Sequence, residues 1–219
     1  MDEIVVRLAR ALASPERLRI LSRLAAAGEI SPTQLGREIH MRLNALSGHL
    51  AKLAHVGLVK RRRSGGRSYC VADSPYSLST LSGMAHAWLR KLLSDPRRVP
   101  GSRGPHEGRR LSAEEAQTRV HQLVFESATA FTDLRRLQIL RHLAGGREAA
   151  AEALCKDLSM SVAAVSRQTQ KLIRRGYLSA RRDGLRAFYR LSPKFKTPVH
   201  ARLFGIVRST WAERPFRTS

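Results

Sequence analysis

Cysteine and aromatic residues are both scarce in this chain, and each scarcity removes a class of structure. Cys70 and Cys155 are the only thiols among 219 residues and stand far apart, so neither a disulfide framework nor a CxxC metal site is available. Aromatics make up 5% of the chain, too few for platforms on which unpaired bases would stack. No apolar run reaches the roughly eighteen residues of a membrane span, and the N-terminus carries no signal-peptide pattern, so a soluble, cytoplasmic protein is expected. No nucleophile sits with a base, no paired carboxylates occur in a basic setting, and the glycine turn Ser64–Arg67 is too short to cradle a nucleotide; no enzyme is expected. Acidic residues are few as well. Asp and Glu number 17 against 40 Lys and Arg, a formal charge of +23 that exceeds what solubility requires. Such an excess implies a polyanionic partner, and with so few aromatics a nucleic-acid duplex is the expected one.

What is present is one unit written twice. Arg17, Leu18, Ile20, Leu21 and Leu24 align with Arg136, Leu137, Ile139, Leu140 and Leu143, and the register continues without a gap. It carries Leu53, Gly57, Arg62, Arg63, Gly65 and Arg67 onto Leu172, Gly176, Arg181, Arg182, Gly184 and Arg186. Chance similarity between basic helical segments does not preserve both the core spacing and the glycines. The boundaries expected are a first domain over 1–95, a Pro/Gly/Arg-rich linker over 96–112 and a second domain over 113–219.

Within each unit the apolar period predicts three helices and a hairpin. Ser14 with Pro15, and Ser31 with Pro32, mark two helix starts, a capping residue followed by proline at the first helical position. Leu46, Leu50 and Leu53 place the buried stripe of a third helix over 43–55, which Gly57 stops. "LVKRRR", "SGG" and "RSYCV" then read as strand, turn and strand. Longer helices flank each unit, over 3–13, 76–93, 113–131 and 198–213. Leu81, Met84 and Trp88 share a face of one, and Phe204, Val207 and Trp211 repeat that spacing in another. The fold class expected is mainly α with small β-hairpin wings: two tandem winged helix-turn-helix domains packed through their N- and C-terminal helices.

A helix about three turns long fits the DNA major groove, and a basic hairpin can lie along the neighbouring phosphates. Candidate reading residues in the first unit are Arg42, Asn44, Ser47 and His49. In the second they are Ser161, Ser166, Arg167, Gln168 and Gln170. Arg61, Arg62, Arg63 and Arg67, with Arg181, Arg182 and Arg186, are candidate wing contacts that hold phosphate without reading sequence.

With "LASPERLRILSRL", "LSGHLAKLAHVGLV" and "RRRSGGRSY" in the first unit, and "VSRQTQKLIRRGYL" and "RRDGLRAFYRL" in the second, each copy resembles the ArsR type of winged-helix repressor. The resemblance spans about residues 3–93 and 113–213. It implies an interface made by the first and last helices, here within one chain: a covalent pseudo-dimer whose interface includes Leu81, Met84, Trp88, Phe204, Val207 and Trp211. Many members sense metals through a Cys-x-Cys pair in the second helix or Asp and His in the last. This chain offers Cys155 alone and His86 and His200, short of the three or four converging ligands a site needs, so no metal and no cofactor are expected. Gly48 stands where the family usually has the arginine that Arg167 supplies, so the two halves are expected to read different half-sites. The function expected is a double-stranded DNA-binding transcriptional regulator, most simply a repressor. The alternative is an architectural or replication-associated DNA binder with little sequence preference.

Overall fold

The computed structural model describes residues 1–99, 111–146 and 148–211. The first half runs α1 (Asp2–Leu12), α2 (Pro15–Ala27), β1 (Glu29–Ile30), α3 (Pro32–Glu38), α4 (Leu43–His55), β2 (Lys60–Ser64), β3 (Arg67–Val71) and α5 (Leu81–Ser94). The second follows the same order: α6 (Ala113–Thr129), α7 (Leu134–Leu143), β4 (Ala149–Ala150), α8 (Ala151–Asp157), α9 (Val162–Arg174), β5 (Leu178–Asp183), β6 (Arg186–Leu191) and α10 (Pro198–Arg208). The starts are set locally. Ser14, Ser31, Thr80 and Thr197 each accept a hydrogen bond from a backbone N–H in the first turn, and Ser112 with Glu115 completes a reciprocal capping box before α6.

The ends of α4 and α9 are alike. Gly57 adopts φ +71° and Gly176 φ +74°, which lets Leu58 N–H donate to Leu53 O and Tyr177 N–H to Leu172 O, each at 3.0 Å. This left-handed stop turns the chain from helix into wing. Each sheet has three antiparallel strands, in the orders β1-β3-β2 and β4-β6-β5, where the sequence predicts a two-stranded hairpin. The added strands are two residues long and leave no period to detect.

The apolar faces form one buried cluster that draws on both halves. α1 packs on α6 and α7, α2 on α6, and α10 on α5 and α6. Arg10 Nε donates to Thr132 O (3.0 Å), Ser22 Oγ lies 2.6 Å from His121 Nε2, and Arg141 pairs with Asp2 at 3.6 Å. Leu81, Trp88, Phe204 and Val207 are buried, and Met84 is half-buried, its sulfur 3.7 Å from Ser209 Oγ.

Three of the flanking helices are shorter than the sequence predicts: the second starts at Leu81 instead of 76, and the third ends at Thr129 instead of 131. The last helix ends at Arg208, so Trp211 lies in a following turn, where its ring meets Phe204 edge-on at 5.7 Å. Ser209 and Thr210 direct their hydroxyls at the carbonyls of Ile206 and Val207, the local competition that shortens helices. At the start of the expected linker, Pro96–Arg98 form a 3-10 turn against α6, and Val99 is 5% exposed. Residues 100–110 of that linker lie outside the described residues.

Two histidines at the packed faces, half-buried His121 and buried His200, have depressed pKa values. Burial, with Arg19 nearby, lowers the His121 pKa to about 4; burial, with Lys196 and against the opposing charge of Glu126, does the same for His200. Between pH 6.5 and about 4 the unfolded chain therefore binds protons that the native state refuses, so stability falls as pH falls through that window. Thermal melts should show Tm dropping over this range, with the drop reduced in His121→Gln. An unchanged profile in that variant would remove His121 from the account.

Candidate nucleic-acid interface

Helices α4 and α9 are each anchored by the side turned inward. Leu46, Leu50 and Leu53 are fully buried beneath α4, and Val165, Thr169 and Leu172 beneath α9. The outward side of α4 exposes Asn44, Ala45, Ser47, Gly48, Ala51 and Lys52, with Arg42 exposed just before it. On α9 the outward side exposes Ala163, Arg167, Gln170, Lys171 and Arg174, with Ser166 half-buried among them. Ser161 is exposed, but its hydroxyl is occupied as the cap, accepting from Ala164 N–H at 3.2 Å. Lys52, Lys171 and Arg174 were missed as candidates, although their spacing of four and seven residues from Gly48 and Arg167 was available.

Gln168 is corrected from reading residue to structural residue. It is 6% exposed, and its Oε1 accepts from Arg136 Nη1 at 2.9 Å. Arg136 is itself buried. Its Nε donates to Ala130 O (3.0 Å) and its Nη2 to Thr129 O (3.0 Å) and Thr132 Oγ1 (2.7 Å), the first two being carbonyls at the end of α6. One guanidinium thus ties the end of α6 to the middle of α9. In the first half Arg17 donates to Ala11 O (2.7 Å) and Arg10 O (2.5 Å), and the residue aligned with Gln168 is His49. His49 is half-buried, with Nδ1 enclosed and without a partner among the described residues; burial and then the charge of Arg17 lower its pKa, against Glu16. It too is turned away from the open face more than its spacing suggests.

The wings divide their arginines into two kinds. Arg181 donates to both carboxylate oxygens of Glu148 at 2.7–3.0 Å, lies 3.6 Å from Asp183 and stacks 4.3 Å above the Phe188 ring. Glu148 first, then Asp183, raise its pKa. Arg62 lies 3.8 Å from Glu29, the counterpart of Glu148. Arg61, Arg63, Arg67, Arg182 and Arg186 are exposed, and no ion pair holds them among the described residues. Arg181 therefore fastens the wing to Glu148, just before β4, while Arg182 and Arg186 are exposed. Arg182→Ala should lower the slope of log K against log salt by about 1, and Arg181→Ala by less, measured on random duplex. A larger loss from Arg181 would reverse this division.

The thiols stand apart from these faces. Cys70 is fully buried in β3, where burial pushes its pKa up, and Cys155 is half-buried against the core. No helix among the described residues is long and apolar enough to cross a membrane.

Helix, turn and exposed helix followed by a small antiparallel wing define a winged helix-turn-helix protein. Residues 12–62 match the family model of the helix-turn-helix domain. Among solved structures, the chain is similar to the homodimeric winged helix-turn-helix DNA-binding domain (fragment 1–100) of Mb0332 from Mycobacterium bovis, described as a possible ArsR-family transcriptional regulator. The identity is 32%, over 48% of this chain and 90% of that one, with a TM-score of 0.37. It is also similar to HlyU from Vibrio cholerae, at 29% identity over 40% of this chain and 90% of that one, with a TM-score of 0.34. No curated protein matches the sequence.

Proposed function

We propose that this protein is a double-stranded DNA-binding transcriptional regulator of the ArsR type in which one chain does the work of a dimer. The observation that carries the reading is the pair of exposed helices, α4 and α9, each followed by a wing whose outer arginines have no carboxylate partner among the described residues. Residues 1–95 and 113–219 are the two DNA-binding units, joined by 96–112 and packed through α1, α5, α6 and α10. Arg167, Gln170, Lys171 and Arg174 read or grip one half-site. The smaller residues Asn44, Ser47 and Gly48 leave the other held mainly by its wing. Occlusion of a promoter is the simplest regulatory outcome, which makes the protein a repressor.

Gel-shift stoichiometry tests this reading: one chain per specific duplex is the expected result, and a requirement for two chains would overturn the pseudo-dimer. The bare face of α4 favours a second reading, an architectural binder with little sequence preference. Equal affinity for selected and random duplexes at several salt concentrations would establish that one instead.

A further inference from the structure

A groove of about 1330 Å³ opens between the two halves, walled by α1, the end of α4, the start of α5, Arg141 of α7 and the turn after α10. Its volume suits a small molecule better than a bridging water. Ile4, Leu8, Val56, Met84 and Trp211 make its apolar surface, and Arg7, His55 and Arg141 its polar one; no acidic side chain among the described residues lines it. Arg7 donates to Glu3 at 3.2 Å and Arg141 lies 3.6 Å from Asp2, but both carboxylates stay outside the lining. Trp211 adds a buried indole N–H without an acceptor among the described residues. A buried donor left unmade is costly, and an incoming acceptor relieves it.

Apolar walls, cationic side chains and an unanswered donor select an amphipathic anion. We propose that this groove is a binding site for an organic monocarboxylate with an extended apolar body. Residues 212–219, which follow Trp211 in the chain, carry Arg214 and Arg217 against Glu213 alone, the same sign as the groove and a poor complement to it. Because His55 and Val56 stand at the end of α4, and Arg141 and Trp211 come from the other half, an occupant bridges the first exposed helix and the second unit. Its role as an effector rests on the DNA-binding reading above; the binding site itself does not.

The test uses the full chain without DNA, titrated by calorimetry with sodium decanoate, decanol and decylammonium chloride below their aggregation limits. Saturable one-site binding of decanoate is expected, about tenfold tighter than decanol, with decylammonium weakest. Ile4 is 46% exposed, so Ile4→Asp places a carboxylate in the wall without opening the core. It should weaken decanoate about tenfold, while Ile4→Asn stays within about twofold of the parent. Arg141→Gln should weaken decanoate and leave decanol unchanged. Absence of saturable binding, equal binding of decylammonium, or indifference to both Ile4→Asp and Arg141→Gln would overturn the site. A gel shift with and without decanoate then separates the two readings. Bound ligand with no change in DNA affinity keeps the site and overturns the effector role.

Discussion

Arg136→Ala is expected to destabilise the protein by about 3 kcal/mol or more, the largest effect of any single substitution considered. The guanidinium makes four hydrogen bonds, to Thr129 O, Ala130 O, Thr132 Oγ1 and Gln168 Oε1, from a site that is 7% exposed. Alanine leaves the Ala130 carbonyl and the Gln168 amide oxygen without their partner, while Thr129 O keeps the Thr132 hydroxyl, and each orphaned group costs about 1–3 kcal/mol. The cation also faces the negative end of the α6 dipole. Burial lowers the Arg136 pKa, with Asp133 opposing, yet a guanidinium remains charged at neutral pH. Arg136→Lys should recover only part of the loss, because an ammonium cannot span the same fork of acceptors. Arg17→Ala should cost less, since Arg17 is half-exposed and lacks the bridge to the helix beneath it. Urea melts of the three variants measure the order; equal losses from Arg17→Ala and Arg136→Ala would show that the Gln168 bridge contributes nothing.

The second large effect falls on DNA. Arg167→Ala should weaken a selected duplex by about 1–3 kcal/mol, roughly 10- to 100-fold, and relax preference at one base pair. Random duplex should lose less, because Arg167 is assigned to reading and not to phosphate. Gly48 is its aligned partner, and a Cβ built there meets nothing within 4 Å. Gly48→Arg can therefore enter α4 without displacing a neighbour, and it removes a mid-helix glycine that costs about 1 kcal/mol. The variant should bind DNA more tightly and shift its preferred site toward symmetry. Equal losses from Arg167→Ala on selected and random duplexes, or no gain from Gly48→Arg, would remove the reading role from this position.

How much of this was legible in the sequence follows from the range of each interaction. Helix α4 occupies 43–55, where the leucine period and Gly57 predict it, because both signals lie within the helix and its stop. The wings were legible for the same reason: charge, turn glycines and alternation are contiguous. Gln168 was misassigned because its partner Arg136 is remote in sequence, and no helical period marks a polar residue as inward-facing when its acceptor is satisfied by a buried cation. Arg181 is indistinguishable from Arg182 in the sequence, because Glu148, which holds it from just before a two-residue strand, is remote from the wing. The packing of Val99 is not legible in the sequence because it is a single apolar residue in a Pro- and Arg-rich run, and burial of one side chain leaves no pattern. In each case a pairing between distant segments, not a local propensity, decided the residue's role.

Selection of bound duplexes from random DNA by the full chain, repeated over a salt series and followed by footprinting of the best site, tests the central claim most directly. Two unlike half-sites bound by a single chain, with stronger base preference under the α9 half than under the α4 half, is the result this account predicts. A perfect inverted repeat occupied by two chains would contradict it.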